Sequence, residues 1–267
     1  MRLLVTGTEG FIGKNVYQKL VKIDDVTKVT CLEKDYMNHS GWESTLAKCV
    51  EDCDAILHIG AISDTMLKDA NEMMKYNYIF SKELFDLAQI YDKKVVYSSS
   101  AANTGESGTP SNIYGWSKYI TEEYGCLRVN DFYALRYFNV YGPGEEHKGK
   151  MASVAYQAHL KGDFKLFDGK PKRDFVYIDD IVDATLYPLF NDIESGVYEV
   201  GSGEARSFED VLGLMNISFD YWHKENTPKG YQFYTKANPK CFMEGWKPKY
   251  DLEKGINKYK EYLNEGV

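Results

Sequence analysis

Tyr114 and Lys118 stand four residues apart in the run Tyr114-Gly115-Trp116-Ser117-Lys118. On a helix that spacing sets a phenol and an ammonium one turn apart on the same face. The positive charge is expected to lower the phenol's pKa. A phenol that ionises near neutrality is a general base for an alcohol proton while a nicotinamide accepts the hydride. Taken alone, the pattern also describes an ordinary solvated helix face. Ser98-Ser99-Ser100, closing an apolar run upstream, favours the chemical reading, because Ser100 can hydrogen-bond the same substrate oxygen. A second signal is Gly7-Thr8-Glu9-Gly10-Phe11-Ile12-Gly13. Three glycines at three-residue spacing, between an apolar run and a helical pattern, make a tight turn whose amides and helix dipole face an anion such as the pyrophosphate of a dinucleotide.

Both sets of residues lie at the ends of apolar runs that alternate with helical patterns. Leu3-Leu4-Val5 reads as a first strand, Phe11 to Val21 as a helix, Lys28 to Leu32 as a second strand ending at Glu33, and Asp54 to Ala61 as a third strand running into a small-residue turn. Asn71 to Tyr91 is a long helix with Asn77 embedded in it. Lys94 to Tyr97 is a fourth strand, Tyr114 to Val129 a helix and Phe132 to Arg136 a further strand. This order predicts an α/β chain built on a Rossmann-type doubly wound parallel sheet, with ligands at the C-terminal ends of the strands. At the end of the second strand Glu33 suits the ribose of NAD, whereas Lys34 could pair with the 2′-phosphate of NADP, and the two residues leave that choice open.

Beyond Asn139 the alternation breaks into loops rich in Gly, Lys and aromatics. A helix is expected from Met151 to Leu160 and short strands at Phe164 to Phe167 and Asp174 to Ile178. Asp179 and Asp180 supply an N-cap and favourable first-turn charge for a helix to Phe190, and Val197 to Val200 returns as a strand. Residues 1–140 with 175–202 are therefore expected to form the dinucleotide-binding domain. Residues 141–174 with 203–267 form a small C-terminal α+β substrate cap, ending in the amphipathic helix Leu252 to Leu263.

The 267 residues suffice for a large α/β domain with such an appendage, and the formal net charge of −8 argues against a nucleic-acid or polybasic membrane partner. The five cysteines, Cys31, Cys49, Cys53, Cys126 and Cys241, lack C-x-x-C spacing, so they read as reduced, mostly buried thiols with no metal site. No h-region or cleavage site precedes the first strand, and no apolar run reaches membrane-spanning length, which sets the expectation of a cytoplasmic protein.

Thr6 to Gly13, Ser98 to Ala102, Tyr114 to Lys118 and Arg136-Tyr137-Phe138-Asn139-Val140-Tyr141-Gly142-Pro143 resemble the extended short-chain dehydrogenase/reductase family of nucleotide-sugar epimerases and dehydratases. A narrower likeness, to the ADP-L-glycero-D-manno-heptose 6-epimerase family, is carried by His147 to Ala155, Lys165 to Gly169, Lys172 to Tyr177 and Lys229 to Gln232. The resemblance implies an NADP cofactor, with NAD as the alternative, a nucleotide-diphosphate sugar substrate and a homo-oligomer. It assigns Tyr114, with Ser100 and Lys118, and Lys148 as a second acid/base, to catalysis. It assigns Gly7, Gly10, Phe11, Ile12, Gly13, Glu33, Lys34, Gly60, Ala61, Ile62, Ser63, Asn77, Lys118 and Val140 to the cofactor. Asn139, Lys150, Gln157, Phe167, Asp168, Gly169, Lys170, Arg173 and Tyr231 fall to the substrate. On the residues alone, Lys148 is equally a solvated loop charge, and Arg173 equally a structural partner of Asp174. The family's serine and histidine are replaced here by Lys150 and Gln157, Thr104 stands where a tyrosine is expected, and the stretches 33–53 and 101–113 are short. Those departures keep open other nucleotide-sugar epimerases, such as one acting at C4, a 4,6-dehydratase, and a non-catalytic dinucleotide-binding protein.

Overall fold

The computed structural model describes residues 1–105, 108–222 and 232–266. β1 (Arg2–Thr6) buries Leu3, Leu4 and Val5, and the glycine turn leads into α1 (Phe11–Leu20), which buries Phe11, Gly13, Val16 and Leu20 at helical spacing. After β2 (Lys28–Leu32) comes α2 (Trp42–Asp52). The strand–helix alternation does not reveal α2 because its surroundings are polar, yet Trp42, Leu46 and Val50 repeat every four residues and pack on the core. β3 (Ala55–His58) is followed by three helical pieces where one helix is expected. These are α3 (Ala70–Met74), a π turn at Lys75–Ile79 and α4 (Phe80–Ile90), with the Phe80 N–H reaching back five residues to the Lys75 carbonyl. Asn77 lies inside the π turn, the kind of irregularity that helices carry at functional positions.

β4 (Lys94–Ser100) leads to α5 (Ile113–Arg128), whose first turn is capped by the Asn112 side chain accepting the Gly115 amide at 2.8 Å. β5 (Phe132–Tyr137) and β6 (Asn139–Tyr141) follow. The helix expected from Met151 starts later, as α6 (Val154–Lys161), because Ser153 caps it and Glu146–Met151 coil into a 3₁₀ segment. Then come β7 (Asp163–Phe167), β8 (Lys172–Arg173), β9 (Phe175–Tyr177), α7 (Ile178–Phe190), β10 (Gly196–Val200), β11 (Arg206–Ser207), α8 (Phe208–Met215), β12 (Ser218–Trp222) and α9 (Leu252–Asn264). Asp179 and Asp180 fall inside the first turn of α7 rather than ahead of it. Asp180 there accepts the Lys249 and Tyr250 amides at 2.8 and 3.1 Å.

The central sheet has six strands in the order β10-β5-β4-β3-β1-β2, and β1 pairs in parallel with both β2 and β3 while β3 pairs in parallel with β4. This is the doubly wound order expected from the alternation. Two compact units emerge, Met1–Arg136 with Val182–Tyr198, and Tyr137–Ile181 with Glu199–Val267. Residues 175–181 belong to the second unit, since β9 pairs in parallel with β6. In the first unit Leu4, Ile56, Leu84, Val95 and Ala134 are fully buried around Phe85 and Phe132, whose rings meet edge-on at 5.2 Å. Each buried leucine, isoleucine or valine among them contributes about 1.5–3 kcal/mol of burial. The thiols depart from expectation: Cys53 is buried, but Cys126, Cys241 and Cys31, on the edge strand β2, are exposed.

The glycine turn is held by close backbone packing. Gly7 adopts φ +75°, and a Cβ there would strike the Cα of Gly60; a Cβ on Gly13 would strike the Gly7 carbonyl. Gly10 is less constrained, its nearest neighbour being the Gly7 carbonyl at 3.3 Å. Gly13→Ala is therefore expected to lower stability by about 1–3 kcal/mol, and Gly10→Ala by less than about 1 kcal/mol, in urea unfolding monitored by circular dichroism. Equal losses in the two variants would show that the Gly7–Gly13 approach is not what fixes the turn.

Candidate active site

In the first unit, β4 and α5 bring Ser100, Tyr114 and Lys118 together. Ser100 ends β4, where its hydroxyl accepts the Ala102 amide at 3.2 Å and acts on the Tyr114 phenol. Lys118 lies one turn along α5 and is 3 % exposed. Its ammonium donates to the Ser98 carbonyl at 2.6 Å and stands 4.6 Å over the centre of the Tyr97 ring. Burial lowers Lys118 to about 7, with the charge of Glu122 opposing. Burial raises the Tyr114 phenol above its ordinary value, and the Ser100 hydrogen bond works against that rise. The expectation that Lys118 lowers the phenol is thus corrected for the ligand-free protein. Desolvation dominates both groups, and the ammonium is aimed at the Ser98 carbonyl.

Glu122 continues the four-residue spacing from Tyr114 and Lys118 and is fully buried. It accepts from Ser99 Oγ at 2.5 Å, from Asn103 Nδ2 at 3.0 Å and from Arg136 Nε and Nη2 at 3.0 and 2.5 Å. That spacing was the available signal for a residue the motif reading passes over.

At the glycine turn the Gly10 N-cap of α1 carries no side-chain cap, which leaves a helix N-terminus suited to an anion. Phe11 is buried beside it and Ile12 half-buried. The Glu33 carboxylate accepts from Thr8 Oγ at 2.6 Å and from the Glu9 amide at 3.2 Å, so it braces the turn itself, while Lys34 is exposed. After β3 the Gly60 amide donates to Thr6 Oγ1 at 2.9 Å. Ala61 and Ser63 are exposed on either side of Ile62. The buried Asn77 turns its carboxamide into the protein: Oδ1 accepts the Ile62 amide at 2.7 Å, and Nδ2 donates to the Ile62 carbonyl and Ser117 Oγ, both at 2.9 Å. It shapes the 60–63 loop from beneath. A turn in which Gly7 and Gly13 have no room for a Cβ, and Gly60 little, fits the tight glycine geometry that brings backbone close to a dinucleotide pyrophosphate.

In the second unit Lys148 lies half-buried in the 3₁₀ segment, and its amide bonds the Glu145 carbonyl at 3.0 Å. Burial lowers its ammonium, with Glu145 opposing. Glu145 is itself fully buried and accepts the Gly142 amide at 3.2 Å, the Ser153 amide at 2.5 Å and Ser153 Oγ at 2.7 Å. Its carboxylate therefore closes the loop that carries Lys148. Gln157 donates to the Ala152 and Lys150 carbonyls at 2.7 and 3.1 Å, bracing the same loop, and Lys150 is exposed. Asn139 is exposed and Val140 half-buried on β6. Phe167, Asp168, Gly169 and Lys170 form the turn after β7, where Lys170 takes φ +51°. Arg173 is 7 % exposed; it donates to the Lys172 carbonyl at 3.1 Å and to the Gln232 carbonyl, and lies 5.8 Å from the Phe208 ring centre. Neighbouring Asp174 accepts from the Ser202, Gly203 and Ala237 amides and from Ser202 Oγ. Tyr231 lies outside the described residues. Among the described residues no cluster of His, Cys, Asp and Glu is placed to hold a metal ion, and no helix is long and apolar enough to cross a membrane.

The ADP-L-glycero-D-manno-heptose-6-epimerase of Cupriavidus pinatubonensis is 36% identical over 79% of this chain and 76% of its own length. The enzyme of the same name from Brachyspira hyodysenteriae is 34% identical over 98% of each. The crystal structure of the Helicobacter pylori ADP-L-glycero-D-manno-heptose-6-epimerase superposes with a TM-score of 0.85 at 28% identity, covering 100% of this chain and 96% of that one. Residues 3–201 match the sequence model of the NAD dependent epimerase/dehydratase family, a span that holds the glycine turn, Ser100, Tyr114, Lys118 and Lys148. Sequence and sheet order agree, and the chain belongs to the NAD dependent epimerase/dehydratase family.

Proposed function

We propose that this protein is a nucleotide-sugar epimerase that inverts C6 of an ADP-glycero-manno-heptose. The observation that carries the reading is the buried Lys118 one helical turn from Tyr114 on α5, with Ser100 at the end of the adjoining strand β4 and its hydroxyl acting on the phenol. The likeness to the heptose epimerases supplies the sugar. A bound oxidised dinucleotide supplies a hydride acceptor that can return the same hydride. Tyr114 takes the proton of the C6 hydroxyl as that carbon, flanked by C5 and C7, becomes a ketone, and Ser100 holds the same oxygen. Lys148 is the second acid/base, giving a proton back when the carbon regains hydrogen in the opposite configuration. Arg173, with Asn139 and the Phe167 to Lys170 turn, is assigned to the nucleotide-diphosphate sugar, a guanidinium being suited to a diphosphate oxygen pair. The substrate assay is direct. Incubation with ADP-D-glycero-manno-heptose, followed by NMR, is expected to give both C6 epimers without added reductant. Turnover of UDP-hexoses at C4 and none of the heptose would replace the sugar assignment.

The cofactor reading is NADP. Glu33 Oε1 is engaged by Thr8 and Glu9 within the turn, and Lys34 stands exposed one residue on, a charge for the 2′-phosphate. Mass analysis of nucleotide released from the purified protein should recover NADP, and Lys34→Glu should shift the bound pool toward NAD. Recovery of NAD alone from the unaltered protein would mean that Glu33 governs the ribose end.

The two acid/base groups are separable by mutation. Tyr114→Phe and Lys148→Met are each expected to lower epimerisation by about 10²- to 10⁴-fold while the bound dinucleotide is retained. A Lys148→Met protein that interconverts both epimers at the normal rate would return Lys148 to a loop charge, and a fully active Tyr114→Phe protein would remove the phenol from the mechanism.

A further inference from the structure

His58, the last residue of β3, is 1 % exposed, and both its ring nitrogens are engaged. Nδ1 lies 2.8 Å from Thr6 Oγ1 and Nε2 lies 2.6 Å from Ser81 Oγ. The neighbours fix the direction of each bond. The single hydroxyl hydrogen of Ser81 goes to the Asn77 carbonyl at 2.7 Å, so Ser81 Oγ accepts from an Nε2–H. Thr6 Oγ1 accepts the Gly60 amide at 2.9 Å and gives its own hydrogen to Nδ1. The ring is therefore the neutral Nε2–H tautomer.

The same donor sense continues on the far side of Asn77. Its Nδ2 donates to Ser117 Oγ at 2.9 Å, and Ser117 Oγ donates to the Tyr114 carbonyl at 2.8 Å. Thr6, His58, Asn77, Ser81 and Ser117 are all at most 2 % exposed. The first run, from the Gly60 amide through Thr6, His58 and Ser81, ends on the Asn77 backbone carbonyl, and a second run leaves the Asn77 side chain for Ser117 and the Tyr114 carbonyl, so the two meet on one buried residue between the strand end and α5. Within each run the bonds strengthen one another and are costly to break at any one link.

We infer that His58 is a positioning residue: its run of buried hydrogen bonds holds the Asn77 backbone, and the Asn77 side chain in turn sets the first turn of α5, and so the Tyr114 phenol, relative to the loop that follows β3. The chain has no route if the ring reverses its tautomer or gains a proton, because Nδ1–H would face Thr6 and strand the threonine hydrogen. The surroundings hold the ring neutral. Phe80, Phe85 and Tyr97 enclose it at ring-centre distances of 5.8, 5.7 and 5.5 Å, and the charge above the outer face of Tyr97 is Lys118. Burial, aided by that charge, pushes His58 down to about 3.

The inference rests on Tyr114 as an acid/base group, but its first test does not. Nitrogen-15 NMR of the imidazole in the dinucleotide-loaded protein is expected to show Nε2–H and no titration between about pH 5 and 8. An Nδ1–H tautomer, or titration in that interval, would overturn the chain whatever the enzyme does. The second test uses the steady state with the heptose substrate. Ser81→Ala, which keeps the imidazole but removes its Nε2–H acceptor and the bond to the Asn77 carbonyl, is expected to lower kcat about tenfold with KM within about twofold and to move the pH profile of kcat. His58→Gln, which keeps a donor toward Ser81, should retain more activity than His58→Phe, and adding Ser81→Ala to His58→Phe should cost nothing more. If His58 only fills the core, the variants will lose melting temperature while kcat per dinucleotide-loaded site and its pH profile stay at the unaltered values, and the inference fails.

Discussion

Withdrawing the Lys118 ammonium from water is the constraint around which the first unit is arranged. A lone buried ammonium is several kcal/mol unfavourable even after relaxation, so the fold must supply compensation at this point. It does so with the Ser98 carbonyl, the face of Tyr97 and the field of Glu122. Each of these requires something in turn. Glu122, also without solvent, needs Arg136, Ser99 and Asn103 around it, which ties α5 to the ends of β4 and β5. Removing one member of such a set leaves an uncompensated buried charge, typically about 3–5 kcal/mol. The rigidity of the Tyr114 turn is a by-product of satisfying the lysine.

How much of this was legible in the sequence follows the range of the interaction. Tyr114 and Lys118 are one helical turn apart, and Gly7, Gly10 and Gly13 are one tight turn, so local spacing reveals them. The parallel sheet is legible for the same reason, since each strand announces itself by its own apolar run. What spacing does not reveal is where a polar side chain turns. Asn77 and Gln157 carry amides that suit a ligand, yet both fold onto backbone carbonyls and amides of their own unit. Glu33 sits where a ribose is read, yet it is engaged by a threonine twenty-five residues upstream. The π turn at Lys75–Ile79 replaces regular helix although no proline or glycine marks it. It is set by the contacts Asn77 makes at long range with Ile62 and Ser117, and those belong to the fold rather than the segment.

The second unit solves a different problem. Its strands are short, two to five residues, and among the described residues they form two-stranded pairs, with a single added bridge from Lys172 to Tyr234, so ladders leave much of the loop backbone to other partners. Buried carboxylates take over that task. Asp174 gathers amides from Ser202, Gly203 and Ala237, Asp180 those of Lys249 and Tyr250, and Glu145 those of Gly142 and Ser153. Carboxylates used in this way hold loops through strong charge-assisted bonds with no need of sheet extension. Lys148 is carried between the two anchors of Glu145, and Gln157 braces the same stretch, so a lysine in a glycine-rich loop is held where an unanchored one would sweep solvent.

Burial pushes the two ionisable groups of the Ser100 cluster toward their neutral forms. With Lys118 lowered to about 7 and the phenol raised above its ordinary value, burial favours a protonated tyrosine beside a lysine that is only partly charged near neutrality. A protonated phenol cannot remove an alcohol proton. The hydrogen bond from Ser100 pulls in the needed direction, but it is weaker than the desolvation it opposes. In a dry site a newly bound charge acts over a low effective dielectric and outweighs what the same charge does in water. Positive charge arriving beside the phenol favours the phenolate; negative charge arriving beside Lys118 favours the ammonium, which then favours the phenolate as well. Burial alone therefore does not deliver the phenolate that the proposed proton abstraction needs, and charge brought beside either group would have to supply it.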